Sequence, residues 1–267
     1  FFCTLLNRFR GSFVCNCMKI ASNIFLLIVL LGCAKPQPHS AGIISSPNDT
    51  IALPNDTVPA PTNDTAGLKT FLALGDSYTY SESVVENQKL PYQIAVQLNG
   101  LGMETASAEV IARTGWTTRD LLANLNSNPP SLPNYSIVTV LIGVNNQYRG
   151  RSVENYQQEF TDLIQMAIGL CGNKPGQVIV LSIPDWGTTP FAKEKDTKKI
   201  SYEVDDYNKT CKQITENAGC KFINITNAQR ADASRPEFVA ADGLHPSEKE
   251  YAKWANKLYA YIFSMVK

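Results

Sequence analysis

Residues Thr70–Tyr78 read TFLALGDSY, an unbroken apolar run that stops at a glycine, an aspartate and a serine. A short apolar stretch with polar bounds fits a strand buried on both faces, so Thr70–Leu74 is expected to be one. Four further runs of this kind follow, at Ala108–Ala112, Ile137–Ile142, Val178–Ile183 and Phe222–Ile225. Helical periods lie between them. Over Val153–Leu170 the apolar positions Val153, Tyr156, Phe160, Leu163, Ile164 and Ala167 recur near every 3.6 residues, and Ser152 precedes them as an N-cap. The last segment carries Tyr251, Trp254, Ala255, Leu258 and Ile262 on one face and opens with Ser247-x-x-Glu250, the pattern of a capping box. Strands that alternate with helices predict one α/β domain over residues 69–267, with a parallel sheet covered on both faces.

In such sheets ligands bind beyond the carboxyl ends of the strands, so the polar residues that follow each run matter most. The first run leads into Gly75-Asp76-Ser77-Tyr78, where a glycine lets the backbone turn and present the Ser77 hydroxyl at the rim. Thr79 stands where a Gly-x-Ser-x-Gly nucleophile elbow would need its last glycine. The second run ends before Arg113-Thr114-Gly115-Trp116, and the third before Gly143-Val144-Asn145-Asn146. A glycine N–H and an asparagine amide can hold a developing oxyanion without carrying charge. Taken singly, Gly115 also suits a plain turn and Asn145 a turn or cap. Asp242-Gly243-Leu244-His245-Pro246 comes before the last helix, and His245 is the sole histidine of the expected domain, the other being His39. One carboxylate three residues from one imidazole can hold one ring nitrogen while the other faces a serine.

The order of these blocks resembles the SGNH (GDSL-type) hydrolases. The resemblance runs from about Lys69 to the C-terminus and implies a flavodoxin-like three-layer sandwich with a five-stranded parallel sheet. It implies that Ser77 is the nucleophile, His245 its general base and Asp242 the third triad member. Gly115, Asn145 and the Ser77 N–H would then form the oxyanion hole. It also implies hydrolysis of a small-molecule carboxylic ester through an acyl-enzyme, with no metal or organic cofactor. Asn146 departs from the family pattern, in which an aspartate often follows the asparagine, and puts the geometry of that loop in question. Asp76 is read as a buttress of the serine turn rather than an acid or base. O-acetylated sugars, lysophospholipids and thioesters all remain open as substrates. The other class of reading is a surface binding lipoprotein on the same scaffold without turnover. Asp185 reads as a loop residue, Lys193–Lys199 as a solvated loop, and Trp116, Tyr78 and Trp186 as either pocket lining or rim packing.

Composition narrows the partners. Lys plus Arg and Asp plus Glu each number 24 in 267 residues, so no net field draws nucleic acid. The apolar run Ile24–Leu31, preceded by Lys19 and followed by Gly32-Cys33, is too short to span a bilayer. It resembles a bacterial lipobox, which implies acylation of Cys33 as the mature N-terminus, residues 1–33 as upstream leader, and a lipid-anchored protein of the cell envelope. Residues 34–68 form a Pro-rich stretch expected to be a tether. Asn-Asp-Thr recurs there at Asn48, Asn55 and Asn63, which looks like O-glycan acceptor sites of exported bacterial proteins and equally fits a low-complexity spacer. Cys171, Cys211 and Cys220 remain in the body, an odd count that allows one disulfide without choosing the pair.

Overall fold

The computed structural model describes residues 70–102 and 108–265, so the expected leader, Cys33, and the tether lie outside the described residues. Five parallel strands, β1 (Phe71–Gly75), β2 (Ala108–Ala112), β3 (Ile137–Leu141), β4 (Val178–Leu181) and β5 (Lys221–Ile223), form one sheet in the order β2-β1-β3-β4-β5. This is the flavodoxin-like α/β arrangement expected from the sequence. β1 pairs with β2 from Phe71 against Ala108, and with β3 from Phe71 against Ile137. The three central strands are buried along their whole length, while the edge strands β2 and β5 keep partly exposed positions. That contrast is what two-sided helical cover produces.

The helices are α1 (Ser77–Tyr80), α2 (Leu90–Asn99), α3 (Thr118–Ser127), α4 (Val144–Tyr148), α5 (Val153–Leu170), α6 (Thr197–Asn217), α7 (Thr226–Asp232) and α8 (Glu248–Met265). α2 packs on α8, and α5 packs on both α3 and α6. α5 has the expected bounds, with Ser152 Oγ accepting the Asn155 N–H at 3.3 Å. Its face Tyr156, Phe160, Leu163, Ile164 and Ala167 is fully buried, as is the α8 face Tyr251, Trp254, Ala255, Leu258 and Ile262.

The expected capping box at α8 does not close. Ser247 Oγ accepts the Lys249 N–H at 3.3 Å, but the Ser247 N–H already donates to the Phe238 carbonyl at 3.0 Å. With no orphan donor to satisfy, the buried Glu250 carboxylate takes the Trp254 indole N–H at 2.8 Å and pairs with Lys253 at 3.1 Å. A reciprocal box forms at α3 instead, between Thr117 and Asp120. Cys171, Cys211 and Cys220 are buried free thiols, so the disulfide the odd count allowed is not made.

Candidate active site

β1 ends at Gly75, and the reason for glycine is close approach. A Cβ there would overlap Thr79 Oγ1 and the Leu141 carbonyl of the neighbouring strand. Asp76 then caps α1, its Oδ1 accepting the Tyr78 N–H at 3.0 Å, which is the buttress the sequence suggested. Ser77 opens the helix and is 5 % exposed at the carboxyl edge of the sheet.

The loop before α8 meets it from the opposite side. Val239 bridges Pro246, the Ala240 N–H donates to the His245 carbonyl at 2.8 Å, and Gly243 takes φ +71°. These ties hold the imidazole between two partners. His245 Nε2 lies 2.9 Å from Ser77 Oγ, and His245 Nδ1 lies 2.7 Å from Asp242 Oδ2. An ionised carboxylate only accepts, so Nδ1 carries the proton and the Nε2 lone pair faces the serine hydroxyl. Asp242 also accepts from Ser83 Oγ at 2.7 Å and from the N–H groups of Leu244 and His245, each at 2.9 Å. Burial raises its affinity for a proton, but these donors outweigh it and hold the carboxyl down at about 2.

Asp76 behaves in the opposite way. It is completely buried, and burial pushes its carboxyl up to about 7, against the hydrogen bonds from the Tyr78 N–H and the Asn145 amide that favour its charge.

Asn145, on the first turn of α4, donates from Nδ2 to the Trp116 carbonyl at 3.1 Å and to Asp76 Oδ2 at 3.4 Å. Gly115 takes φ +83°, and its carbonyl accepts from Arg149 Nη2 at 2.6 Å. The structure thus brings Ser77, His245, Asp242 and Asn145 around one point. Gly115 directly precedes Trp116, whose carbonyl takes the Asn145 amide.

Asn146, the departure from the family pattern, is fully buried and locks this wall. Its Oδ1 accepts the Thr118 N–H at 3.0 Å, and its Nδ2 donates to Thr118 Oγ1 at 2.7 Å and to Glu159 Oε2 at 3.4 Å. The neighbouring Glu159 accounts for an amide here, because a second carboxylate would face it across the same gap.

A cavity of about 220 Å³ lies beside the serine, lined by Ser77, Tyr78, Val144, Asn145, Tyr148, Trp186, Phe191, Leu244 and His245. Tyr78 and Trp186 therefore line a pocket, whereas Trp116 packs against the core. Asp185 is a loop residue, as expected, and a fully buried one. It takes the Gly187 N–H at 2.9 Å, Ser201 Oγ at 2.5 Å and Arg230 Nε at 2.9 Å, and so fixes the turn that carries Trp186. The stretch Lys193–Lys199 is exposed as expected. Sequence reasoning missed Ser83, Glu159, Tyr148 and Phe191, none of which sits in a local motif.

The sequence profile of the GDSL-like lipase/acylhydrolase family matches residues 73–253, and the chain belongs to that family of ester hydrolases. Comparison with curated protein sequences returns no match. Among solved structures, the lipase/acylhydrolase of Enterococcus faecalis superposes with a TM-score of 0.57 at 20 % identity, covering 75 % of this chain and 98 % of its own. The esterase EstA from Pseudoalteromonas gives 0.54 at 18 % identity, with 74 % and 98 % coverage. The acetylxylan esterase Axe2 of Geobacillus stearothermophilus gives 0.57 at 18 % identity, with 73 % and 94 % coverage.

Proposed function

We propose that the chain is a serine esterase that cleaves carboxylic esters in two steps. The observation that carries this reading is the relay Asp242–His245–Ser77, with hydrogen bonds of 2.7 and 2.9 Å. His245 Nε2 takes the Ser77 proton as Oγ attacks the ester carbonyl, while Asp242 stabilises the imidazolium that forms. The oxyanion is held by the N–H groups of Ser77 and Gly115 and by the Asn145 amide, which gives up its long 3.4 Å bond to Asp76 to do so. His245 then returns the proton to the departing alkoxide. A water, deprotonated by the same imidazole, cleaves the acyl-enzyme. EstA, which shares the fold, is an esterase whose structure is inhibited by monoethylphosphonate, consistent with phosphonate chemistry at such a site.

Labelling with a fluorophosphonate, read by peptide mass, should modify Ser77. Ser77→Ala should lower ester hydrolysis by ~10³-fold or more. Retention of activity within tenfold in a pure, folded variant would refute the mechanism.

Anchoring in a bacterial cell envelope through acylated Cys33 belongs to the same proposal, supported by the apolar run ending in Gly32-Cys33. Mass spectrometry of the mature protein checks it. An unmodified N-terminus at another residue counts against it.

A further inference from the structure

The two sides of Ser77 differ in chemistry. Because β1 lies between β2 and β3, the loop after β2 flanks the serine on one side and the loops after β3 and β4 flank it on the other. On the β2 side the groups are polar and exposed: Thr114 hydrogen-bonds Glu82, Ser83 reaches Asp242, and Arg149 reaches the Gly115 carbonyl. On the β3–β4 side lies the 220 Å³ cavity, whose wall is Val144, Tyr148, Trp186, Phe191 and Leu244.

That wall is prebuilt. Trp186 is 5 % exposed, and its indole N–H is spent on Gln147 Oε1 at 2.7 Å, so the ring offers the cavity apolar surface only. Tyr148 and Phe191 meet it edge-on, with ring centroids 5.2 and 6.1 Å away. The Phe191 N–H donates to the Gly243 carbonyl at 2.9 Å, which ties the wall to the histidine loop. The polar groups on the lining are Ser77, Asn145 and His245, all engaged in the reaction, and the hydroxyls of Tyr148 and Tyr78, the latter buried without a partner, too few to pair the several hydroxyls of a sugar ring. A sugar ring placed here would leave hydroxyls unpaired, at a cost of about 1–3 kcal/mol each. An apolar group loses nothing.

We propose that this cavity is the acyl pocket and that the substrates are esters of short to medium acyl groups, about four to six carbons, with polar alcohols. The inference rests on the serine-esterase reading above. The acyl group stays bonded to Ser77 through both steps, while the alcohol must leave and water must enter. The walled side suits the part that stays, and the open polar side the part that leaves. The cavity, about 220 Å³, seats a short chain, and the rest of a long fatty chain would run out past the exposed Tyr148 and Phe191 into water.

The test measures kcat/KM for p-nitrophenyl esters from acetate to dodecanoate, and for acetates of alcohols of increasing size. Fluorophosphonate labelling of Ser77 is recorded on the same preparations. The rate constant should rise about fourfold per methylene to about six carbons and then fall. Phe191→Ala and Tyr148→Ala, both at partly exposed positions, should each lower the hexanoate-to-acetate ratio about tenfold. A protein labelled at Ser77 but indifferent to acyl length overturns the pocket and leaves the esterase reading standing. Preference that instead follows alcohol size, and is lost in Phe191→Ala, assigns the cavity to the alcohol and also overturns the proposal. Absence of labelling at Ser77 overturns both.

Discussion

Two aspartates flank the same serine, and the fold sets them at opposite ends of the carboxylate range. Asp76 lies at the end of β1 with no exposure, and its carboxyl is pushed up to about 7 by burial. Asp242 lies in the loop before α8 with its side chain 30 % exposed, and it is held down at about 2 once its donors outweigh burial. The difference comes from how deeply each carboxylate is buried, set against the donors that reach it. At Asp76 complete burial outweighs the Tyr78 N–H, the Asn145 amide and the backbone N–H groups of Asp76 and Gly143, whereas at the part-exposed Asp242 two N–H groups, a hydroxyl and an imidazole N–H outweigh burial. A group that must stay charged beside a base needs such a set. A group that only shapes a turn does not.

The sharpest way to break this contrast is Asp242→Asn. It removes the charge that stabilises the imidazolium and lets His245 adopt the wrong tautomer, so kcat should fall by ~10²- to 10⁴-fold. Steady-state kinetics with a soluble ester checks it, and a variant matching the parent would strip Asp242 of its role. Because the carboxyl keeps its charge down to about 2, Asp242 is not the group whose protonation limits the parent in mildly acidic solution.

A smaller effect is expected at Asp76, and it appears in stability rather than mechanism. Its folded-state value of about 7 exceeds the ordinary 3.8, so between those values the folded chain keeps a proton that the unfolded chain has lost. The resulting stabilisation is fully present below 3.8 and disappears as pH rises through about 7. Asp76→Asn carries no such titration. The melting temperature of the parent relative to this variant should therefore drop by several degrees between pH 5 and pH 8, corresponding to on the order of 2–4 kcal/mol. A difference that stays constant across that range would show that Asp76 does not titrate there.

The same contrast marks what the sequence could tell. Asp242 and His245 are three residues apart, so their pairing shows as a local pattern, and Ser77 stands out because a strand ends beside it. Ser83 meets Asp242 across 159 positions, and Thr118 meets Glu159 across 41, so no window of sequence contains either partnership. Strand ends erred for a related reason. Ile142, Ile183 and Ile225 lie past the last paired residues of β3, β4 and β5, yet each is at most 1 % exposed. Apolar character reports burial, and buried loop residues extend an apolar run beyond its hydrogen bonds. Gly75 differs the other way: it belongs to β1 because it pairs with Ala112 and Leu141, and it is glycine because the Leu141 carbonyl leaves no room for a side chain, so the apolar run stops before the strand does.

The three unpaired thiols have a consequence for handling the molecule. Burial raises Cys171 and Cys211 to about 12 and Cys220 to about 11, so almost none of their sulfur is thiolate at neutral pH. Thiolate is the form that attacks alkylating agents and enters exchange. Alkylating reagents and disulfides should therefore react slowly with these three thiols while the domain stays folded, which mass spectrometry of the native and unfolded protein checks. Its sulfurs act as silent clocks that begin to react only when the chain opens.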